Sequence, residues 1–204
     1  SFDDQGYPLT SIKYLPPLSE KNKIICVGIN YPKLYNNKFT NKPNEIIIFS
    51  KFFETLVGHD EPLSLPIEPA AKSFDYEGEV AVIIGKTGFK ISKKESENHI
   101  FGFTLLNDGS VREWQNHSVH AGKNFYQSGS CGPYIVTKDE IKSVNELTFQ
   151  TKLNGILVQN AQLSEMFFNL SDIIAYVSTI IPLNVGDVIS TGSPEGTGAS
   201  QVPE

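Results

Sequence analysis

Several residue types are scarce in this chain, and each shortage excludes a class of protein. Only two of its 204 residues are cysteines, Cys26 and Cys131, and neither belongs to a CxxC pair or another zinc-binding spacing. We expect both to be buried, unreactive thiols. No apolar run approaches the roughly 18 residues of a membrane-spanning helix, and no charged N-terminal segment leads into an apolar stretch. The sequence therefore indicates neither secretion nor membrane insertion.

Basic residues are also too few to form a surface for nucleic acid. The chain has 17 Lys and Arg against 23 Asp and Glu, a formal net charge of −6. Such a balance gives no positive field for a phosphate backbone or an anionic membrane surface. We expect neither partner, and the cytoplasm is the default compartment.

Glycine and proline are frequent by contrast, with 16 and 12 residues, and they separate short β-branched runs. This pattern predicts a strand-rich single domain. Strands are expected at residues 24–27, 46–49, 101–106, 134–136 and 188–191, and a hairpin at 147–158 turns at Asn154-Gly155. A helix is expected over Leu170–Ile180, capped by Asn169 or Ser171 and ended by Pro182. The polar loop 30–44 is interpreted as a lid or entrance.

The acidic segment Asp75-Tyr76-Glu77-Gly78-Glu79 precedes the apolar run 80–84 and is interpreted with it as one strand. Alternation along a strand would place Asp75, Glu77 and Glu79 on one side. Carboxylates entering a run buried on both faces need a compensating cation or donors, and hard oxygen ligands favour magnesium, manganese or calcium. The alternative is a solvated strand end whose acids face water.

Further polar residues follow the next predicted strand. Asp108 is either a site carboxylate or a helix N-cap. Arg112 and Gln115 share a helix face, where they either grip a carboxylate ligand or form a surface pair. Lys123, beside a glycine and an aromatic residue, suits an electrophile or proton carrier. The glycine-rich loop 192–198 lacks the lysine and the following helix of a P-loop, which disfavours ATP binding.

Histidine and serine chemistry have little support in the sequence. His59, His99, His117 and His120 have no HxxxH spacing, and each is interpreted as a surface residue rather than as a metal ligand. The GxSxG motif of serine hydrolases is absent, so serine hydrolysis is not expected.

Taken together, these segments resemble the fumarylacetoacetate hydrolase (FAH) family, and in particular its small bacterial-type members similar to 2-keto-4-pentenoate hydratase and 2-hydroxyhepta-2,4-diene-1,7-dioate isomerase. They occur in the family's order and span nearly the whole chain. The carrying segments are residues 28–31, 75–79 with 82–86, 107–115, 122–125, 132–133, 154–155 with Gln159, and 186–194.

The resemblance implies an α+β, strand-rich fold, with mixed sheets forming a sandwich or roll around a central metal site. Residues 1–22 would be an N-terminal extension and 23–204 a single catalytic domain, usually forming a homodimer. It also implies Mg²⁺ or Mn²⁺ held by Glu77, Glu79 and Asp108, with Asp75 orienting the site from outside the ligand set.

The implied substrate is a small 2-oxo or diketo acid that reacts through a metal-stabilised enolate. Isomerisation, tautomerisation, decarboxylation and C–C bond hydrolysis share that enolate, and members of the family divide among them. By resemblance Lys123 and Gln115 are catalytic. The residues implied to bind substrate are Asn30, Tyr31, Arg112 and Ser193.

Two departures from the family's pattern bear on the chemistry. The lid normally carries a histidine and a glutamate that activate water, but Leu34 and Asn37 stand at those positions. Neither can abstract a proton, which places hydrolysis in doubt unless a histidine such as His59 or His120 substitutes. Relatives also continue into closing strands where residues 198–204 end. We therefore expect either a shortened C-terminal end or the lack of part of the core.

Two functional hypotheses follow. The first is a metal-dependent FAH-family enzyme, leaning towards isomerase or decarboxylase. The second is a ligand-binding or structural dimer that retains the fold without catalysis. The three clustered carboxylates favour the enzyme, because a decayed site should lose such costly residues first. A generic strand-rich binding domain is a distant third hypothesis.

Overall fold

The structure, a computed structural model, describes residues 6–35 and 38–201. The strands are β1 Ile24–Gly28, β2 Leu34–Tyr35, β3 Lys38–Phe39, β4 Ile47–Lys51, β5 Leu56–Val57, β6 Phe74–Asp75, β7 Gly78–Ile84, β8 Ile100–Asn107, β9 Ser110–Val111, β10 Gly129–Cys131, β11 Val136–Thr137, β12 Thr148–Leu153, β13 Ile156–Gln162 and β14 Val188–Ser190. The helices are α1 Arg112–Gln115, α2 Val119–Gly122 and α3 Leu170–Ile180, with short 3₁₀ turns between elements.

A mixed sheet forms the centre of the molecule. Its strand order is β4-β1-β14-β7-β8-β10-β5, and β11 also pairs with β8. The pairs β1–β14 and β5–β10 are parallel, and the remaining pairs of this sheet are antiparallel. The strand-rich α+β fold expected from the sequence is confirmed. No helix in the described ranges is both long and apolar enough to span a bilayer.

The central strand β7 contributes to both cores because its two faces alternate. Val80, Val82 and Ile84 pack in a core that includes α3, whereas Ala81 and Ile83 pack in a second core with residues of β1, β8 and β14. Both faces are covered, as the uninterrupted apolar run predicted. The acidic residues at the start of β7 are therefore attached to a strand that is buried on both faces.

The predicted helix and hairpin are present. The side chain of Asn169 accepts from the backbone N–H of Asp172, and Asp172 accepts in return from Asn169, which fixes the start of α3. Asn154 and Gly155 both adopt positive φ in the turn between β12 and β13. Ile180, expected on the apolar stripe of α3, is instead exposed.

The acidic segment is not one continuous strand, and that interpretation is wrong. Phe74–Asp75 forms β6 and pairs with β9, and the ladder of β7 starts only at Gly78. Asp75 accepts from the following N–H of Tyr76, and the side chain of Asn107 accepts from the N–H of Glu77. These side-chain acceptors compete with the sheet for the backbone donors and interrupt the strand.

Other predictions need smaller corrections. The strand expected at 134–136 is only Val136–Thr137 in the structure, and the proposed lid loop contains the short β2–β3 hairpin. His99 is buried, with Nδ1 2.8 Å from the carbonyl oxygen of Lys86, so its assignment to the surface is wrong. Both cysteines are buried, and burial raises the pKa of each thiol.

Candidate active site

Three carboxylates from the ends of two neighbouring strands converge in the interior. Glu77 precedes β7, Glu79 lies within it, and Asp108 follows β8. One oxygen from each lies within 4.8 Å of the others, and all three residues are buried. Buried oxygen donors at this spacing fit a hard divalent cation such as Mg²⁺ or Mn²⁺. The structure thus brings together the predicted ligand set.

Backbone pairing holds this arrangement in register. The N–H of Asp108 donates to the carbonyl oxygen of Glu77 at 2.8 Å, and the β7–β8 ladder pairs Gly78 with Asn107. Since Asn107 also accepts from the N–H of Glu77 through its side chain, the turn out of β8 and the entry into β7 are fixed to each other. The carboxylates are therefore positioned by the sheet.

Glu79 lies within β7 and is buried. Its Oε2 accepts from Ser190 Oγ at 2.5 Å and from the N–H of Gly192 at 3.0 Å. Gly192 has a φ of +96°, and an added Cβ would lie 3.0 Å from both Asn30 Cβ and the Val27 carbonyl oxygen. Burial, together with the charges of Asp108 and Glu77, raises the pKa of Glu79 to about 8.

Glu77 is held by two cations. Lys123 Nζ donates to Glu77 Oε2 at 2.7 Å, and Arg112 Nη1 contacts Glu77 Oε1. Burial alone would raise the pKa of Glu77, but the charges of Lys123 and Arg112 outweigh it and lower this pKa below its usual range. The neighbouring carboxylates likewise outweigh burial for Lys123 and raise its pKa. Lys123 is therefore a fixed positive charge here.

Lys51 is a site residue that the sequence analysis missed. Its fully buried Nζ lies 2.8 Å from Asp108 Oδ1 and donates to the carbonyl oxygen of Lys123 at 2.6 Å. The Asp108 contact is a close ion pair without hydrogen-bond geometry. One signal was available in the sequence: Lys51 follows the apolar run of β4 and shares a face with Phe49.

Asp75 lies outside the three-carboxylate cluster and supports its surroundings. Its Oδ2 accepts from Arg112 Nε at 2.8 Å and Nη2 at 2.7 Å, a two-pronged ion pair. The N–H groups of Gly198 and Ala199 also donate to Asp75, at 2.8 and 2.9 Å. Asp75 thereby joins Arg112 to the glycine-rich loop.

A cavity of about 260 Å³ is lined by Glu77, one of the three carboxylates. Its apolar wall includes Val27, Ile47, Phe49 and Val119, and its polar lining consists of Lys33, Glu77, Arg112, Gln115, Lys123 and Ser193. Gln115 Nε2 is buried and has no hydrogen-bond partner among the described residues. A larger depression of about 950 Å³ runs beside β4, but it contains none of the three carboxylates, so we place the site in the smaller cavity.

Two of the predicted substrate-binding residues lie away from the cavity lining. The Asn30 side chain donates to the carbonyl oxygens of Phe168 and Thr191 and accepts from the N–H of Phe168, which occupies its polar atoms. Tyr31 is fully buried in the core, with its ring 5.9 Å from that of Phe149. Burial raises the pKa of Tyr31.

The histidines considered as substitutes for the lid pair are also outside the cavity. His59 is exposed beside Tyr14, and His120 packs against Phe52 with ring centroids 5.1 Å apart. Of the two replaced lid positions, Leu34 begins β2 and Asn37 lies outside the described residues. Among the described residues, the loop after β1 contributes Lys33 to the cavity instead.

Comparison with known proteins agrees with this geometry. The oxaloacetate tautomerase fahd2 of Xenopus laevis, named as mitochondrial, is 36% identical over 198 residues, covering 95% of this chain and 61% of that protein. The human oxaloacetate tautomerase FAHD2A, also named as mitochondrial, is 36% identical over 200 residues, covering 96% and 63%. The chain spans about three fifths of the length of these curated relatives.

Solved structures of known proteins are also similar to the structure of this chain. The 2-hydroxyhepta-2,4-diene-1,7-dioate isomerase from Mycobacterium marinum superposes with a TM-score of 0.82 at 30% identity, covering 97% of this chain and 73% of that one. Maleylpyruvate hydrolase from Sphingobium sp. SYK-6 gives a TM-score of 0.81 at 29% identity, covering 94% and 67%. The family described as fumarylacetoacetate (FAA) hydrolase C-terminal matches residues 23–203. On this match, and with the buried carboxylates in place, the chain belongs to the fumarylacetoacetate hydrolase family.

Proposed function

We propose that this protein is a divalent-metal-dependent enzyme that interconverts the keto and enol forms, or the double-bond isomers, of a small 2-oxo or diketo acid. The observation that carries the proposal is the buried cluster of Glu77, Glu79 and Asp108, of which Glu77 lines a small cavity. Relatives named as oxaloacetate tautomerases and a structural neighbour named as an isomerase support this reaction class.

Glu77, Glu79 and Asp108 are the residues that would hold Mg²⁺ or Mn²⁺. When bound, such an ion would withdraw electron density from the keto group of the substrate and stabilise the developing enolate. The cavity volume of about 260 Å³ limits the substrate to a small molecule. Its apolar wall keeps water away from the reacting carbon and strengthens the electrostatic interactions inside.

The other polar residues divide into positioning and binding groups. Arg112 already donates to Asp75 and Glu77, so its role is to hold the carboxylates in place. Gln115 has an unpartnered buried donor, and we assign it to the carboxylate of the substrate. Lys123 keeps its proton and acts as an electrophile and hydrogen-bond donor.

Hydrolysis of a C–C bond is the less favoured chemistry. A hydrolytic route needs a base to activate water, and Leu34 supplies none at the position where the family carries a histidine. Tautomerisation, isomerisation and decarboxylation require no activated water. The absence of a histidine from the cavity lining among the described residues supports this preference.

A substrate panel tests the proposal. Oxaloacetate, acylpyruvates and 2-oxohept-3-ene-1,7-dioate would be assayed with Mg²⁺, with Mn²⁺ and with EDTA. We expect metal-dependent tautomerisation or isomerisation, abolished in Glu77→Gln and retained in Glu97→Gln, which alters an exposed acid. Turnover that persists in EDTA or in Glu77→Gln would refute the metal-dependent mechanism. Acylpyruvate cleavage would instead favour hydrolysis, and inactivity on every substrate would favour a binding protein.

A homodimer and a cytoplasmic location complete the proposal. The outer edge of β4 is unpaired among the described residues, and Phe52, which directly follows β4, has an exposed apolar side chain, which supports an interface there. Light scattering after gel filtration would measure the mass of the protein in solution.

The proposed cytoplasmic location would be tested by cell fractionation, particularly because relatives are named as mitochondrial.

A further inference from the structure

One charged side chain in the cavity has no role in the carboxylate network. Four charged residues line the cavity, and three of them, Glu77, Arg112 and Lys123, form ion pairs with one another and with Asp75 and Asp108. The fourth is Lys33. No carboxylate among the described residues forms an ion pair with its Nζ, whose hydrogen-bond partner is the hydroxyl of Ser193. Lys33 is thus the cavity cation whose charge is not balanced by a direct contact.

Hydrogen bonds of its backbone and side chain hold Lys33 in the loop after β1. Its backbone N–H donates to Thr40 Oγ1 at 2.9 Å, and the N–H of Thr40 donates to the Lys33 carbonyl oxygen at 2.8 Å. Its Nζ donates to Ser193 Oγ at 3.1 Å. Ser193 is buried and directly follows Gly192, whose N–H donates to Glu79. These contacts place the amine at the cavity that Glu77 also lines.

We infer that Lys33 is a catalytic residue, the group that takes the proton from the carbon beside the substrate's keto group and later returns it. This inference rests on the proposed function and answers the question raised by the missing lid pair. Neither His59 nor His120 lines the cavity, whereas Lys33 lies one residue before Leu34 in the same loop.

The reaction balances without a further reagent. The neutral amine of Lys33 removes a proton from C3, the C3–H electron pair forms the C2=C3 bond, and the C2=O π pair moves onto oxygen. The ammonium of Lys33 then gives this proton to the enolate oxygen, which forms the enol and restores the neutral amine. Atoms and electrons are unchanged overall, as a tautomerisation requires, and each step also runs in reverse.

The surroundings of Lys33 suit proton exchange. Burial is the main cause that lowers its pKa, and the charges of Arg112 and Lys123 lower it further, while Glu77 and Glu79 oppose them. A lower pKa increases the fraction of free amine at neutral pH and brings the proton affinity closer to the working range of a general base. Lys51 and Lys123 cannot serve in this way, since their charges balance the buried carboxylates.

Two variants separate proton transfer from simple attraction of an anion. Lys33→Arg keeps the charge but cannot release a proton at accessible pH, whereas Lys33→Met removes both properties. We expect each to lower kcat for exchange of the C3 proton by about a hundredfold or more, with a smaller change in KM. Lys21→Met, which changes an exposed lysine, is the matched control and should match the wild type.

The pH dependence supplies a second readout. Proton abstraction by the wild type should quicken as pH rises through the pKa of Lys33, and this limb should vanish in Lys33→Met. Nitrogen-15 NMR of the lysine Nζ atoms in the metal-free protein should give Lys33 a pKa below the ordinary value of about 10.4. A titration at or above that value would overturn the inference.

These experiments distinguish failure of the proposed Lys33 role from failure of the proposed function. If the wild type with metal neither turns over nor exchanges the C3 proton, the proposed function fails and the inference fails with it. If the wild type is active and Lys33→Arg keeps its kcat while Lys33→Met raises KM, then Lys33 anchors an anion and proton transfer is refuted. Circular dichroism would confirm folding, and Lys33→Arg decides the matter if Lys33→Met does not fold.

Discussion

Two lysines line the same cavity from different parts of the chain, and their surroundings have opposite effects. Lys123, after α2, donates to Glu77 and Asp108 at 2.7 and 2.6 Å, and carboxylate charge raises its pKa. Lys33, after β1, has no ion-pair partner among the described residues and donates a hydrogen bond to the Ser193 hydroxyl, and burial lowers its pKa. The comparison shows that neighbouring charges decide whether a buried lysine is a permanent cation or an exchangeable proton carrier.

The largest effect is expected when the ion pairs around Lys123 are disrupted at Asp108. Asp108→Asn leaves the buried ammonium of Lys51 without its carboxylate partner and weakens the neutralisation of Lys123. We expect the unfolding free energy of the metal-free protein to fall by about 3–5 kcal/mol, measured by denaturant titration, together with loss of metal binding.

A double variant sharpens this test. Adding Lys51→Met to Asp108→Asn should recover part of the lost stability, because the unpaired cation is then gone. Asp139→Asn, at an exposed position, is the control and should change neither stability nor metal binding. Unchanged stability in Asp108→Asn would show that these ion pairs do not hold the site together.

The next effect concerns Glu79 and pH. Because its pKa is raised to about 8, the metal-free protein holds this proton at neutral pH and must release it when a metal binds. Apparent metal affinity should therefore fall by about tenfold for each pH unit below 8. Calorimetry at pH 7 in two buffers of different ionisation enthalpy should report about one proton released.

The same raised pKa predicts how stability varies with pH. The folded, metal-free protein favours protonated Glu79, so the contribution of this group is present below the ordinary carboxyl pKa and is lost as pH rises through about 8. Glu79→Gln should remove this dependence. A metal affinity that is equal at pH 6.5 and 8.5 would contradict the assignment.

Substitution of Gln115 tests substrate binding separately from the stability of the protein. Its Nε2 has no partner among the described residues, so Gln115→Leu removes no Nε2 hydrogen bond within this part of the chain. We expect the unfolding free energy to change little, while KM rises by about tenfold through loss of a contact to the substrate carboxylate. Gln150→Leu, at an exposed position of β12, should leave KM unchanged. An unchanged KM in Gln115→Leu would remove this residue from the binding site.

The smallest expected effect is the stability change in Lys33→Met. A lowered pKa means that the folded state disfavours the charged lysine, and this penalty is complete below the folded pKa and disappears only as pH rises from there through the ordinary lysine pKa. Removing the amine should therefore alter the unfolding free energy at pH 7 by no more than about 0.5 kcal/mol, and towards greater stability. Lys123→Met should be far more destabilising. Equal losses in the two variants would abolish the contrast between the lysines.

The sequence predicts the main elements well because their signals are local. Apolar runs mark β1, β4, β8 and β14, and Asn154-Gly155 marks the β12–β13 turn. The convergence of Glu77, Glu79 and Asp108 also follows from family resemblance. The catalytic and binding roles of individual residues remain predictions.

The features that were missed depend on contacts between distant segments. The strand is interrupted after Asp75 because the side chain of Asn107, 30 residues after Glu77, accepts a hydrogen bond from the N–H of Glu77. Lys51 joins the site because β4 ends beside Lys123, whose carbonyl oxygen it contacts. Lys33 stands out only when the cavity lining and the ion pairs are known together. No periodicity in the sequence specifies such contacts.

The most direct test of the central claim is proton exchange at C3 of oxaloacetate in D₂O, followed by ¹H NMR. This measurement detects enolate formation whatever product is released. We predict rapid exchange with wild-type protein and Mg²⁺ or Mn²⁺, and only the uncatalysed rate with EDTA or with Glu77→Gln. Catalysed exchange that survives both changes would contradict a metal-dependent enolate mechanism at this site.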